Sequence, residues 1–353
     1  MREGRAHGRR VTVRVAIAGL SNYAVTTYVP YLLSNSETEI VGFFDPGVDE
    51  RSRQRIAEFR ATTGLSSVAD LESLVTTERA DCLIVSSPHQ HHYSQALTAL
   101  RSGCHVLLDK PAACNHADAS RLVEIAEERG LAVAVANQRR FEPPYRHIWE
   151  VLESNRLGAV RAVNYLFASS PWRNYSETWR ADTDLNCGGV LMDIGYLALD
   201  TLVWLIGPKD LVVDSARECR RPGHSDWTVS LLVGFATGMA SITVTYLAPG
   251  RSVQEELSIY CDAGAIFARR LEDVRAGLAP TVSWIDARGD AGHMVFPPER
   301  FGTAPLEAFL TSVATGADSP ASVKRALETT RLIERSYIHL EASRRFAGDV
   351  RTS

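Results

Sequence analysis

The chain has 353 residues, 45% of them hydrophobic and 23% charged, with a formal net charge of -4. That length exceeds one ordinary core and suits two domains, and a small negative charge argues against a nucleic-acid partner. Cys82, Cys104, Cys114, Cys187, Cys219 and Cys261 form no Cys-x-x-Cys pair and no zinc-like spacing. No signal-peptide pattern and no apolar run long enough to span a bilayer is evident. The expectation is therefore a cytoplasmic protein with reduced thiols, no bound metal and no membrane partner. The first ten residues are basic and read as a frayed lead-in.

In chain order, the β-branched run at 13–18 predicts a buried strand that stops at Gly19. A helix is expected over 23–33, kinked by Pro30, then a strand at 39–44 that ends in Asp45-Pro46-Gly47. A polar helix follows at 50–62. Residues 82–85 read as a strand, 92–102 as a helix with Gly103 at its C-cap, and 105–108 as a strand running into Asp109-Lys110-Pro111. A helix at 118–129, stopped by Gly130, leads to a strand at 131–136. This alternation demands right-handed βαβ units and a parallel sheet, an α/β Rossmann domain over 11–137.

After about residue 145 the rhythm changes. A helix near 145–154 precedes alternating strands at 162–168, 211–217, 227–236, 239–247 and 256–261, with a hairpin turn at Thr237-Gly238. A last helix is expected over 322–343. The second domain, 138–345, is thus expected to be α+β with a large, mostly antiparallel open sheet, its last helix packing back on the first domain.

A dinucleotide fold places Gly-x-Gly-x-x-Gly after its first strand. Here the run is Gly19-Leu20-Ser21-Asn22-Tyr23-Ala24. The first Gly is present, Ala24 is an accepted variant of the third, and Ser21 replaces the second, where its hydroxyl could donate to a phosphate. Asp45, at the end of the second strand, is placed to accept from an adenosine ribose and favours NAD, because a 2′-phosphate would meet like charge. Asp45 is equally a turn former before Pro46-Gly47, and Arg51 and Arg53 nearby keep NADP open.

Ser87-Pro88-His89-Gln90-His91-His92 resembles Thr-Pro-Asn-x-x-His, and residues 102–111, ending Leu108-Asp109-Lys110-Pro111, resemble Ala-Gly-Lys-His-Val-x-x-Glu-Lys-Pro. Both are motifs of the glucose-fructose oxidoreductase, inositol dehydrogenase and rhizopine catabolism family. Arg140-Phe141-Glu142-Pro143, Leu157-Gly158, Trp179-Arg180 and Gly188-Gly189-Val190-Leu191-Met192-Asp193-Ile194-Gly195 continue the resemblance, which covers roughly residues 11 to 345. It implies an NAD(P)-dependent oxidoreductase interconverting a secondary alcohol and a ketone on a sugar, sugar derivative or cyclitol. It puts Lys110 beside nicotinamide and reacting carbon, where an ammonium would stabilise an oxyanion and relay a proton. Asp193 would contact substrate and orient that group; its bland reading is a turn acid after Gly188-Gly189. Gly19, Ser21, Asn22, Tyr23, Asp45, Ser87, Pro88, His92, Asp109 and Lys110 are the expected cofactor residues.

One departure bears on mechanism. The family pattern continues Asp-x-Gly-x-His with the His as general acid/base, but here Leu197 stands there, and leucine cannot transfer a proton. Three readings follow. Lys110 does the proton work with Tyr196 or a water; another histidine, among His89, His91, His92 and His224, fills the place; or dehydrogenase chemistry is lost, leaving a redox-neutral enzyme with tightly bound NAD or a non-catalytic dinucleotide- or sugar-binding protein.

The stretch 169–186 carries Trp172, Arg173, Arg180, Asp182 and Asp184. Aromatic faces stack on sugar rings and charged groups bind vicinal hydroxyls, so Trp172, Arg180, Asp182 and Asp193 are the expected substrate contacts. The open sheet, with its strand 241–246, suggests a homodimer or homotetramer.

Overall fold

The computed structural model describes residues 12–170, 178–220, 225–250, 252–273, 278–297 and 302–351. Trp172, Arg173 and His224 lie outside the described residues. The first half runs β1 (Val13–Ala18), α1 (Val29–Ser34), β2 (Thr38–Phe44), α2 (Glu50–Thr63), α3 (Leu71–Thr77), β3 (Cys82–Val85), α4 (His92–Arg101), β4 (His105–Leu108), α5 (His116–Arg129) and β5 (Val133–Val135). Its strands form one parallel sheet in the order β2-β1-β3-β4-β5. Each central strand is buried on both faces, which is why it reads as an unbroken apolar run. Val15 and Ile17 join a core with Leu306 and Phe309, while Ala16 and Ala18 join one with Ala96 and Leu122.

Local chemistry sets the helix ends. Asp49 and Asn115 accept from the backbone of Ser52 and Asp118 as N-caps, and Gly64 and Gly130 end α2 and α5 in the left-handed conformation. The helix expected over 23–33 differs. Ala24–Tyr28 form a wide π turn that runs directly into the α-helix at Val29, with Pro30 as the second residue of that helix.

The second half adds α6 (Pro143–Glu153), β6 (Val160–Ser169), α7 (Thr183–Asn186), α8 (Tyr196–Ile206), β7 (Val212–Arg220), β8 (Asp226–Phe235), β9 (Gly238–Thr245), β10 (Ser252–Cys261), β11 (Gly264–Asp273), β12 (Thr281–Asp286), β13 (Ala291–Val295), α9 (Ala304–Thr315) and α10 (Leu327–Arg351). The eight strands form an open sheet, β13-β12-β11-β10-β6-β9-β8-β7, in which only β6 and β9 pair in parallel. Sequence patterning does not reveal β11, β12, β13, α3, α8 or α9. The reason is plainest for α8, which is buried nearly all round and so carries no amphipathic period. Contrary to expectation, Thr183–Ile206 is long and apolar enough to cross a bilayer. However, 78% of its most apolar stretch is buried inside the fold, so that apolarity serves the core.

One face of the sheet is open. By register Met239, Tyr260, Phe267, Ile285 and Val295 share it, and all five are exposed. The C-terminal segment returns to the first sheet: Ser322 bridges Ala134, and Lys324 pairs with Glu127 at 2.6 Å.

The expectation of six reduced thiols is corrected at two positions. Cys114 and Cys187 form a disulfide, with Cα atoms 5.8 Å apart. They are 73 residues apart in sequence, so no local spacing announces them; the folding of the chain brings them within bonding range.

Beneath the sheet lies a buried charge cluster. Glu255 of β10 accepts from the Arg139 guanidinium and from the hydroxyls of Tyr145 (2.5 Å) and Tyr165 (2.7 Å). Glu142 accepts from Arg139 and from Arg270, both at 2.6 Å. Burial would raise the pKa of Glu255, but Arg139 and Arg270, with the two phenols, outweigh it and hold it below the usual carboxylate value. The sign follows from that depression: the cluster stabilises the fold fully above about pH 4.3, the ordinary Glu value, and the contribution is lost as pH falls through the lower folded value. Glu255→Ala would leave two buried guanidiniums sharing the single carboxylate of Glu142 and is expected to cost about 3–5 kcal/mol, read as a lower urea midpoint at unchanged slope; an unshifted midpoint would show that Glu255 contributes nothing.

Candidate functional site

The turn after β1 is shaped by Gly19. Its φ is +82°, and a Cβ there would stand 2.4 Å from the Ser87 backbone, so a side chain would wedge β1 from β3. The Leu20 N–H donates to Asp45 Oδ2 (2.7 Å) and the Gly47 N–H to Asp45 Oδ1 (2.8 Å). Asp45 therefore fastens the end of β2 to the turn, and each oxygen keeps a lone pair for a ribose hydroxyl.

Ser21 corrects an expectation. Its Oγ accepts from the Ala24 N–H (3.0 Å) and sits 2.6 Å from Ser86 Oγ, which donates to Asp109 Oδ2 at 2.8 Å. The Tyr28 hydroxyl reaches Asp109 Oδ1 at 3.3 Å. The hydroxyl expected to meet a phosphate is spent inside the fold, and Asp109 is held with it. Tyr23 likewise turns inward, donating to the Gly302 carbonyl at 2.9 Å. Asn22 remains exposed at the turn. Ser87 donates to Gln95 Oε1 at 2.7 Å, and Pro88 leads the 3-10 turn His89–His91.

Sequence reading missed Arg55. From α2, its Nε donates to the Leu20 carbonyl at 2.5 Å, and its terminal nitrogens have no hydrogen-bond partner among the described residues. Burial, partly offset by Asp49 and Asp45, lowers its pKa, and the charges of Arg180 and Arg51 lower it further. A half-buried guanidinium at a glycine turn, with two more cations near it, is an environment suited to an anionic ligand. Gly19, Asp45 and Arg55 together fit the pyrophosphate and ribose of a dinucleotide.

Lys110 follows β4, and Asp193 lies in a π turn, Leu191–Gly195, just before α8. The Nζ of Lys110 donates to the Asp193 carbonyl at 2.8 Å and forms an ion pair with Oδ1 of the same residue. Two of three ammonium donors are thereby committed, leaving one. Asp193 Oδ2 accepts from the Tyr246 hydroxyl at 2.8 Å and lies 3.8 Å from Arg180 Nε. Burial pushes the Asp193 pKa up, but Lys110, Arg180 and His89 together hold it well below the usual value. Tyr246, at the end of an alternating strand, gave no sequence signal.

The turn bearing Asp193 is fixed from behind. A Cβ on Gly188 would lie 2.1 Å from the Tyr337 hydroxyl, the Gly189 N–H donates to that hydroxyl at 3.2 Å, and the Leu191 N–H donates to Asp226 Oδ2 at 2.8 Å. Trp179 and Arg180 form the facing wall, the guanidinium 4.4 Å from the indole centroid.

Other expected residues do not join this constellation. Tyr196 is fully buried, with its hydroxyl toward Asn137, Asp200, Arg140 and Thr330, which corrects its assignment beside Lys110; it sits one residue round the helix from Leu197, itself buried. Asp182 caps α7, its Oδ1 accepting from the N–H groups of Asp184 and Leu185. His92 is sealed between the carbonyls of Pro111 (2.8 Å) and Ser87 (3.0 Å). Burial holds its pKa down against those carbonyls, so the neutral ring donates to one of them and is enclosed between the two loops.

Residues 13–137 match the family described as "Oxidoreductase family, NAD-binding Rossmann fold", and residues 145–267 match "GFO/IDH/MocA C-terminal domain". The chain is 29% identical over 197 residues to a dTDP-3,4-didehydro-2,6-dideoxy-alpha-D-glucose 3-reductase of Streptomyces violaceoruber, covering 56% of this chain and 55% of that one. It is 28% identical to a D-glucoside 3-dehydrogenase of Escherichia coli (strain K12), covering 55% and 54%. The chain thus spans about half the length of these curated relatives. A Saccharopolyspora spinosa relative with the same name as the first is 26% identical over 88% of this chain and 91% of its own. Among solved structures, KijD10, a 3-ketoreductase from Actinomadura kijaniata in complex with NADP and TDP-benzene, superposes with a TM-score of 0.78 at 22% identity, over 93% of this chain and 98% of that one. The protein belongs to the glucose-fructose oxidoreductase, inositol dehydrogenase and rhizopine catabolism family, with its NAD-binding Rossmann domain first and its C-terminal domain second.

Proposed function

We propose that this protein interconverts a secondary alcohol and a ketone on a sugar, sugar derivative or cyclitol with NAD(P) as the redox partner. The observation that carries the reading is the Lys110–Asp193 pair, which joins the end of β4 in the dinucleotide domain to the second domain, with Tyr246 and Arg180 on the same carboxylate. A bound nicotinamide supplies hydride transfer. The chain's residues do the rest: Gly19, Asp45 and Arg55 hold the dinucleotide, and the remaining donor of Lys110 meets the substrate oxygen and stabilises its developing negative charge. Arg180, with Trp179 behind it, offers a cationic, aromatic edge to a sugar or to a phosphate carried by it.

The relatives' names support the substrate class: they act at carbon 3 of a dTDP-linked hexose or of a glucoside. Asp45 supports NAD as the partner, with NADP as the alternative. The apolar open face of the eight-stranded sheet supports a homodimer or homotetramer, and a monomer by light scattering at micromolar concentration would remove that part of the proposal.

The test is a fluorescence titration with NADH and NADPH, and turnover assays with NAD+ and NADP+ on methyl glucosides, inositols, dTDP-glucose and a UDP-N-acetylhexosamine. Saturable binding with turnover is expected. Binding without turnover on the whole panel would favour a redox-neutral enzyme or a non-catalytic binder. Lys110→Ala should lower turnover by about 10²-fold or more at unchanged NADH affinity; full turnover in that variant would refute its role. Arg55→Ala should weaken NADH binding about tenfold or more, the size of a lost charge-assisted hydrogen bond; an unchanged Kd would remove Arg55 from the cofactor site.

A further inference from the structure

We propose that His89 is the general acid/base of this site, taking the role for which the histidine of the related motif is missing at Leu197. The inference rests on the alcohol–ketone reading above and names the residue that moves the proton.

His89 stands where the related motif has Asn, in the 3-10 turn that follows β3. The adjacent strand β4 ends two residues before Lys110, so both residues follow the carboxyl ends of adjacent strands. That is the edge of a parallel sheet where ligands bind. The His89 ring meets the Trp179 indole edge-on at 4.8 Å; Trp179 carries the Arg180 guanidinium, Arg180 approaches Asp193, and Asp193 holds Lys110. The ionisable groups facing His89 are Lys110, His92, Asp193 and Arg180.

The tautomer is set by one contact. Nδ1 lies 3.0 Å from the Asn186 carbonyl, and a carbonyl only accepts, so Nδ1 carries the hydrogen and Nε2 the lone pair. Nε2 has no hydrogen-bond partner among the described residues, yet it is not among their sealed, partnerless atoms, although the residue as a whole is only 3% exposed. A fixed ring with one nitrogen anchored and the other open is how an enzyme presents a base. Burial, together with the cations of Lys110 and Arg180, keeps the resting ring neutral.

The anchor is itself held. The Asn186 N–H donates to the Asp182 carbonyl at 2.9 Å, its side-chain amide donates to the Gly188 carbonyl at 3.2 Å, and the next residue is bonded to Cys114. His92 lacks these properties, because both of its nitrogens face backbone carbonyls.

Lys110 and His89 then divide the work. A hydroxyl both accepts and donates: the third Nζ donor of Lys110 meets its lone pair, and His89 Nε2 takes its proton. In the oxidising direction the O–H bond breaks and an Nε2–H bond forms. The freed pair on oxygen becomes the second bond of the carbonyl as the hydride on carbon leaves to oxidised nicotinamide. In the reducing direction Nε2–H returns the proton to the alkoxide.

The test has two arms on the intact protein. Long-range 1H–15N spectra of ring-labelled protein, assigned by the resonance lost in His89→Asn, are expected to show a neutral Nδ1–H ring at pH 7, with and without NADH. An Nε2–H ring or a doubly protonated one overturns the proposal. On whichever panel member turns over, His89→Gly should lower kcat about 10²-fold or more, keep the wild-type NADH Kd, and regain rate with added imidazole, which a merely structural role would not allow. Undiminished kcat, or a loss that imidazole does not restore, overturns the assignment to His89 and leaves the oxidoreductase reading standing. If the wild type turns over nothing, that reading fails by itself, and the spectra still decide the tautomer.

Discussion

The ammonium of Lys110 and the carboxylate of Asp193 meet at the carboxyl edge of the parallel sheet, and the rest of the molecule is arranged so that they can. Lys110 is delivered by β4, a strand buried on both faces and therefore rigid. Asp193 is delivered by a wide turn whose backbone is held by Tyr337 and Asp226. A buried pair of this kind is useful only if its remaining valences are filled. Asp193 gives its second oxygen to Tyr246 and Arg180, and Lys110 keeps one donor in reserve. The pair is thus one contact between the two halves, set at the carboxyl edge of the first sheet.

That contact would be loose if the halves could rock. Asp200, on α8 a few residues beyond Asp193, accepts from Arg140 at 2.6 and 2.9 Å, from Asn137 at 2.8 Å and from Thr329 at 3.2 Å. The chain crossing into the second domain, the helix following the Asp193 turn and the last helix therefore share one carboxylate. The Glu255 cluster does the same for the sheet. Each balances its charges locally, as burial requires, and each lies where the backbone passes from one half to the other.

Much of this was legible. An unbroken apolar run before Asp109-Lys110-Pro111 announces a buried strand, and Gly188-Gly189 before Asp193 announces a turn. What escaped reading escaped for physical reasons. Arg55 belongs to a helix whose charges look uniformly solvated, and only the fold shows one of them turned onto the Leu20 carbonyl. Tyr246 is the last inward position of an alternating strand, indistinguishable from core until Asp193 is placed above it. Ser21 looked like a phosphate donor because the motif names a position and says nothing of rotamer. Tyr196 and Leu197 sit in a helix buried on all sides, where no period distinguishes the residue that faces the cleft.

The bond between Cys114 and Cys187 has a consequence of a different kind. It closes a covalent ring that contains α5, β5, the passage between the halves, α6, β6 and α7. Everything that connects one sheet to the other along the backbone lies inside that ring, so the connection is doubled. A single peptide cleavage anywhere within it would separate the sequence without separating the molecule. The two pieces would still travel as one species until a thiol reagent opened the second link.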